Sequence, residues 1–304
     1  MITSTGASTR IEGAQLSDED IEKLMRGIAI EKFVDRDKQE VQSYFELLQN
    51  IFNSWEDLVL TESTIKHFHQ ELLKYVERDV LHRGEYKKVE NKVHMVDAAG
   101  QSLGVLFDTT SPYLTPFEMQ ALIEWTQQAL QEGKHHPLLV IANFLVEFLQ
   151  IHPFQDGNGR LSRILTNLLL LRTGYSYMPY VSHEKLIEDN KPEYYLALRT
   201  SQKTLHSEQE DITPWLTFFL HIVLEQSRRA VAILTNREIE VLLSPKQLAV
   251  WLYLQEVTEA APGEIAQQAD VARPTVNQAL NKLLQLKKVE RLGEGRATRY
   301  RVIR

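Results

Sequence analysis

His152, Pro153, Phe154, Gln155, Asp156, Gly157, Asn158, Gly159, Arg160, Leu161, Ser162 and Arg163 run consecutively between two stretches, residues 136–150 and 161–172, that are apolar almost all round. Helices without a polar face belong inside a fold. The polar run is therefore a tight turn between two buried helices, and whatever else the chain forms has to cover that pair. Gly174 follows the second stretch as a C-terminal cap. Gly157 and Gly159 free the backbone to turn its N–H groups inward where the second helix begins, and there the helix dipole and unpaired amides favour an anion.

The side chains of the run suit a triphosphate. His152 alone among them accepts a proton near neutral pH, which makes it the candidate general base for an attacking hydroxyl. Asp156 is itself an anion and cannot meet phosphate directly, so it is the candidate ligand for a Mg²⁺ that bridges phosphate oxygens. The Asn158 amide can turn to a non-bridging oxygen. Arg160 and Arg163, three residues apart on one helix face, offer bidentate forks for the β- and γ-phosphates. Two arginines inside so apolar a helix need an anion to neutralise them. Phe154 is assigned to the core as the anchor of the turn.

At 304 residues, with 43% hydrophobic and 25% charged residues, the chain is expected to be a soluble cytoplasmic protein with one main domain and a smaller appendage. No stretch is apolar enough to span a bilayer, and residues 1–12 lack the basic and apolar regions of a signal peptide, so no membrane role is expected. The absence of cysteine excludes disulfides and thiolate metal sites. The net charge of -7 is unevenly spread: residues 243–304 carry +4, leaving -11 on the rest, which implies two kinds of partner.

The expected fold class is mainly α. Residues 1–10 read as a Ser/Thr-rich arm, Ser17 with Asp20 as a capping box, and Val41, Tyr44, Phe45, Leu48, Ile51 and Phe52 as one helix face. Thr61 is a further N-cap. Alternation over residues 92–96, turn-forming Ala98-Ala99-Gly100 and the apolar run at 103–107 predict a hairpin. Helical spacing resumes at Pro116, and Thr213-Pro214 opens a helix that runs to Ile233.

The 152–163 run resembles, at every defining position, the signature of the Fic (Fido-superfamily) AMP transferases. The resemblance implies a helical core with a small hairpin flap, ATP and Mg²⁺ as cofactors, and transfer of AMP to a Ser, Thr or Tyr hydroxyl in an extended segment of a target protein. It implies His152 as base, with Asp156, Gly157, Asn158, Gly159, Arg160, Leu161, Ser162 and Arg163 around the nucleotide. The flap would be Gly104, Val105, Leu106, Phe107, Asp108 and Thr109, an edge for strand addition. The family's usual proline-rich flap exit is replaced here by Asp108-Thr109-Thr110-Ser111-Pro112, which leaves target preference open. Tyr194, Tyr195 and Gln202 fall in the segment that covers adenine, although Gln202 stands where the family commonly has Asn. Residues 203–211 resemble a loop insertion after it.

Ser8-Thr9-Arg10-Ile11-Glu12-Gly13 resembles the inhibitory motif of the same family, and implies that Ser8 and Glu12 restrain the enzyme. A carboxylate paired with Arg163 removes the fork that the γ-phosphate needs. The same residues also support removal of AMP from a modified target, with Glu12 positioning water. Residues 1–36 then hold the inhibitory motif and a short helix, and 37–236 the catalytic core.

Ser244-Pro245, Pro262-Gly263 and Arg273-Pro274-Thr275 open three helices in the tail, and residues 289–302 alternate around Gly293-Glu294-Gly295 as a strand-turn-strand wing. Residues 243–304 resemble a winged helix-turn-helix domain. In duplex DNA, Arg273, Thr275, Asn277 and Gln278 would face the major groove while Arg291, Arg296 and Arg299 meet phosphates. The alternative use of such a domain is protein contact, including a homodimer. A DNA-binding regulator whose core senses nucleotide is the corresponding non-enzyme reading.

Overall fold

In the computed structural model, described over residues 1–27, 35–76, 80–96, 102–293, 295 and 298–303, the two apolar stretches are helices α6 (Pro137–Ile151) and α7 (Asn158–Arg172). α7 is buried along nearly its whole length, from Asn158 to Leu171. It ends in a Schellman motif: the Tyr175 N–H reaches the Leu170 carbonyl at 3.0 Å, the Gly174 N–H reaches that of Leu171 at 3.1 Å, and Gly174 has φ +98°. Leu161, Ile164, Leu165 and Leu168 meet Phe144, Leu145 and Phe148 of α6 in the main core. Each fully buried side chain of this size contributes about 1.5–3 kcal/mol.

Around this pair the first compact unit, Met1–Ala230, places α1 (Ile2–Ile11), α2 (Asp18–Met25), α3 (Asp35–Ser54), α4 (Glu62–Leu72), α5 (Thr115–Glu132), α8 (His183–Asp189), α9 (Lys191–Gln202) and the first part of α10 (Thr213–Leu242). The expected caps form: Ser17 and Asp20 make a reciprocal box at α2, and the Thr61 hydroxyl accepts the Thr64 N–H at 3.1 Å. Two expectations need correction. Residues 1–10 are no loose arm but most of α1, whose small buried side chains, Ser4 to Thr9, allow close approach to α8 and α3. Thr213 lies inside α10 instead of capping it, with its N–H on Asp211 Oδ1 at 2.9 Å, and the helix runs on past Ile233 to Leu242.

The hairpin is β1 (Lys92–Val96) with β2 (Ser102–Asp108), antiparallel, from Lys92 opposite Asp108 to Val96 opposite Ser102. The register shifts between Val93 and His94 and between Met95 and Val96, leaving Leu106 and Leu103 without a partner across the ladder. The Ala98-Ala99-Gly100 turn lies outside the described residues.

The second unit, Val231–Arg304, holds α11 (Pro245–Glu256), α12 (Pro262–Gln268) and α13 (Arg273–Gln285), followed by β3 (Val289–Leu292) and β4 (Arg299–Val302), antiparallel, with Ala260 bridged to Tyr300. Trp251, Leu254, Ile265, Val276, Leu280, Leu283 and Val289 form its own core. Three helices followed by a two-stranded antiparallel wing are the layout of a winged helix-turn-helix domain. Among the described residues no helix is long and apolar enough to cross a membrane.

Candidate active site

His152 is the C-cap of α6 in the left-handed conformation, φ 51° and ψ 59°. Its Nδ1 lies 3.2 Å from the Leu149 carbonyl. A carbonyl only accepts, so Nδ1 carries the proton and Nε2 is the proton acceptor. Burial pushes the imidazole down to about 4, with Lys87 acting in the same direction against the Leu149 bond. The ring is therefore neutral, as a base must be.

The turn after it is braced from within and from below. Phe154 is fully buried and stacks on His69, ring centroids 3.8 Å apart. His69 accepts the Gly84 N–H at Nδ1 (2.9 Å) and so donates from Nε2 to the Asp156 carbonyl (3.0 Å). Asn158 departs from expectation. Its amide faces the turn, accepting from the Phe154 N–H at 2.9 Å and donating to the Phe154 carbonyl at 2.7 Å, so what it offers an anion is its backbone N–H. Gly157, φ +79°, makes the left-handed step that starts α7. The first N–H groups of the helix, at Asn158, Gly159 and Arg160, have no carbonyl one turn earlier. Leu161 is a core residue whose N–H already bonds the Gly157 carbonyl, and the Ser162 hydroxyl bonds that of Gly159 at 2.8 Å. The Leu161 side chain is thus taken up by the core and the Ser162 hydroxyl by its own helix.

The two arginines part company. Arg160, 2% exposed, pairs with Glu40 of α3 at 2.8 Å and lies 3.4 Å from Asp156 Oδ2. Arg36 joins Glu40 at 2.6 Å to the same Asp156 oxygen at 3.1 Å. Asp156 Oδ1 accepts its neighbour Gly157 N–H at 2.7 Å. Among the described residues no group of three His, Asp or Glu could hold a metal ion. One carboxylate at the mouth of an anion turn suits Mg²⁺ carried in with phosphates and water, which rarely takes an all-protein cage.

Arg163 is fully enclosed and faces α1. Its Nε donates to Ser8 Oγ at 2.7 Å, while Nη2 donates to the Ser8 carbonyl at 2.9 Å and to Glu12 Oε1 at 2.8 Å. Burial pulls its pKa down, but Glu12, Tyr194 and Tyr44 outweigh it and hold the cation. Nη1 has no partner among the described residues. A methyl group on Gly159 would overlap the Glu12 carboxylate. Glu12 thus sits on the N-terminus of α7 as well as on Arg163, an anion in the seat that the glycines leave.

Tyr194 is buried edge-on against Tyr195, Trp215 and Phe218 at 5.1–5.7 Å and is pushed up to about 12, chiefly by burial. Its ring is packed in the core. Tyr195 is half-buried and senses the Glu12 charge. Gln202 is buried with neither amide atom partnered among the described residues. On the flap, β2 pairs with β1 and no other described strand.

His69, Glu40, Arg36, Lys87 and Asn91 were missed in the sequence. Their bonds to the segment 151–160 reach 63 to 120 residues along the chain, and no local spacing marks such contacts. In the second unit Arg273, Asn277 and Gln278 are exposed on α13 and Thr275 is half-buried. Arg291 reaches Thr298 at 3.4 Å, and Arg299 lies between Glu259 and Glu264 at 3.6 and 3.7 Å. Arg296 lies outside the described residues.

A helical core that presents a neutral histidine and an anion seat on adjoining helix ends, beside a two-stranded hairpin, is the arrangement that the resemblance to Fic proteins implies. Residues 59–170 match the Fic/DOC family, and the chain carries a Fic domain. Residues 246–303 match the C-terminal domain of DIP2311-like transcriptional regulators. A Fido domain-containing protein of Dictyostelium discoideum is 37% identical over 93 residues, 31% of this chain and 61% of that protein. A protein adenylyltransferase Fic of Drosophila mojavensis is 29% identical over 163 residues, 53% of this chain and 27% of that protein. The chain thus spans less than two thirds of either relative. The fold resembles a Fic family protein from Desulfovibrio desulfuricans, with TM-score 0.64 and 24% identity over 99% of this chain and 86% of that one.

Proposed function

We propose that the first unit is a protein adenylyltransferase that moves AMP from Mg-ATP to a Ser, Thr or Tyr hydroxyl of a target protein and is restrained at rest by Glu12. The observation that carries this reading is the meeting of two chemistries across one short turn. A neutral His152 ends α6, and an anion seat with an unmet Arg163 N–H opens α7. The target oxygen attacks the α-phosphorus and the new O–P bond forms as the bond to pyrophosphate breaks. His152 Nε2 takes the hydroxyl proton, and arginine meets the charge of the leaving pyrophosphate. Mg²⁺, with Asp156 as its protein ligand, would neutralise phosphate oxygens. The unmet donor and acceptor of Gln202 match the edge of adenine, and Tyr195 offers a ring beside it.

Incubation with labelled ATP and Mg²⁺, followed by mass spectrometry for an added AMP on the protein, tests the reading. No label on this chain or on any acceptor, from the protein or its Glu12→Gly variant, would remove it. The Glu12 carboxylate lies against Gly159 in the turn that follows His152, and this favours one second reading, removal of AMP by water that Glu12 positions. Loss of AMP-removing activity in Glu12→Gly would select it. For the second unit, the winged helix and its match to a regulator's domain support duplex DNA as a partner.

A further inference from the structure

We infer that Lys87, with Asn91 and Thr109, is a positioning clamp that fixes the docking hairpin to the His152 segment and so sets where a target's extended segment meets the base. The inference rests on the adenylyltransferase reading. Lys87 is 3% exposed, and its ammonium spends all three N–H bonds at 2.9 Å, on the Ile151 carbonyl, Asn91 Oδ1 and Thr109 Oγ1. Its backbone N–H reaches the Pro153 carbonyl at 2.9 Å. Asn91 Nδ2 donates to the Phe154 carbonyl at 2.9 Å, and the Thr109 hydroxyl lies 2.8 Å from the Asn91 carbonyl.

Asn91 immediately precedes β1 and Thr109 immediately follows β2. Both ends of the hairpin are thereby tied to each other and to the carbonyls on either side of His152. An isolated two-stranded hairpin is marginal in water, so its placement depends on what grips its base. Burial of the ammonium is costly, enough to push Lys87 down to about 8. A neutral side chain would fill the space without that cost but could not span three acceptors at once. Thr109, expected as part of the docking edge, turns its hydroxyl into this clamp instead.

The test uses full-length protein carrying Glu12→Gly, with and without Lys87→Met or Thr109→Val and with both, acting on an excess of the His152→Ala protein as acceptor. A clamp predicts that kcat falls about tenfold to a hundredfold in each variant, with the ATP KM held within about twofold and the two effects less than additive. Hydrogen exchange should quicken over residues 92–96 and 102–108 while α6 and α7 keep their protection. Parallel loss in kcat and ATP KM, or an unchanged kcat, would overturn the clamp alone. Thr109→Val removes only a hydroxyl and keeps the test decisive where Lys87→Met fails to fold. If the Glu12→Gly protein labels no acceptor at all, the adenylyltransferase reading falls and the clamp falls with it.

Discussion

Arg10 holds Glu188 through both carboxylate oxygens, Nε to Oε1 at 2.6 Å and Nη2 to Oε2 at 3.2 Å. The pair ties α1 to α8 just before Glu12, while a third nitrogen of Arg10 reaches the Leu16 carbonyl at 2.9 Å and Asp18 at 3.0 Å. The position of Glu12 is thus set by a latch on the opposite side of its helix. Glu12→Gly is expected to raise self-modification by at least about an order of magnitude, since a charge-assisted pair is worth roughly 1.5–3 kcal/mol. Arg10→Ala should give a smaller rise, measured by incorporation of labelled AMP. An unchanged rate in Arg10→Ala would mean that packing and the Ser8 and Glu12 bonds to Arg163 seat α1 without the latch.

His152→Ala should abolish transfer while ATP binding persists, because the base acts on the hydroxyl and adds little to nucleotide affinity. Since burial keeps the imidazole at about 4, its acid limb in the rate profile should lie near that value, with rates flat from about pH 5 to 7. Rates that halve near pH 6.5 would place the base in water.

Arg163→Ala should weaken ATP binding in calorimetry and also remove the effect of Glu12→Gly, because one guanidinium serves both anions. Additive effects of the two substitutions would separate the brake from the phosphate seat.

Buried His69 is pushed down to about 4, first by desolvation. Unfolded, it takes a proton near its ordinary value of 6.5, so the unfolded state binds more protons between those values. Its contribution to stability is whole above about pH 6.5 and is lost as pH falls towards 4, on the order of 3 kcal/mol at most. Denaturant midpoints measured against pH should show the fall, and His69→Gln should flatten it. An equal slope in the variant would assign the acid loss to other groups.

The isolated tail, residues 243–304, should bind duplex DNA with an affinity that falls steeply with salt. Its core is its own, so it can be studied alone. Arg291→Ala should flatten the salt dependence by about one unit, whereas Asn277→Ala should change sequence preference more than salt dependence. Arg299, already between two glutamates, should matter less than Arg291. Gel shifts absent on every duplex at low salt would make the tail a protein-contact module.

What was legible in the sequence was local. Ser17 and Thr61 announced helix starts, Gly174 an end, and alternation at residues 92–96 a strand, because caps and periodicity are written within a few residues. His152 and Gly157 were legible through the order of the run itself. Side-chain direction was not. Asn158 and Arg160 stand in a run expected to meet phosphate, yet the side chain of one closes the turn on Phe154 and that of the other meets Glu40 from a different helix. Lys87 and His69 carry no motif at all, since each is defined by carbonyls that only the folded chain brings near. Tyr194 was ambiguous because an aromatic residue on a helix reads alike whether it faces a ligand or Trp215.

Helix α1 buries Ser4, Thr5, Gly6, Ala7, Ser8, Thr9 and Ile11, so its large apolar side chains at the interface are Ile11 and, half-buried, Ile2. Its adhesion comes mostly from directional polar bonds, and little greasy surface is uncovered when it lifts away. The segment is in effect a detachable key. Its release should therefore cost less than melting the core, and the half-exposed Arg10–Asp18 contact is the part of its hold that salt would screen most.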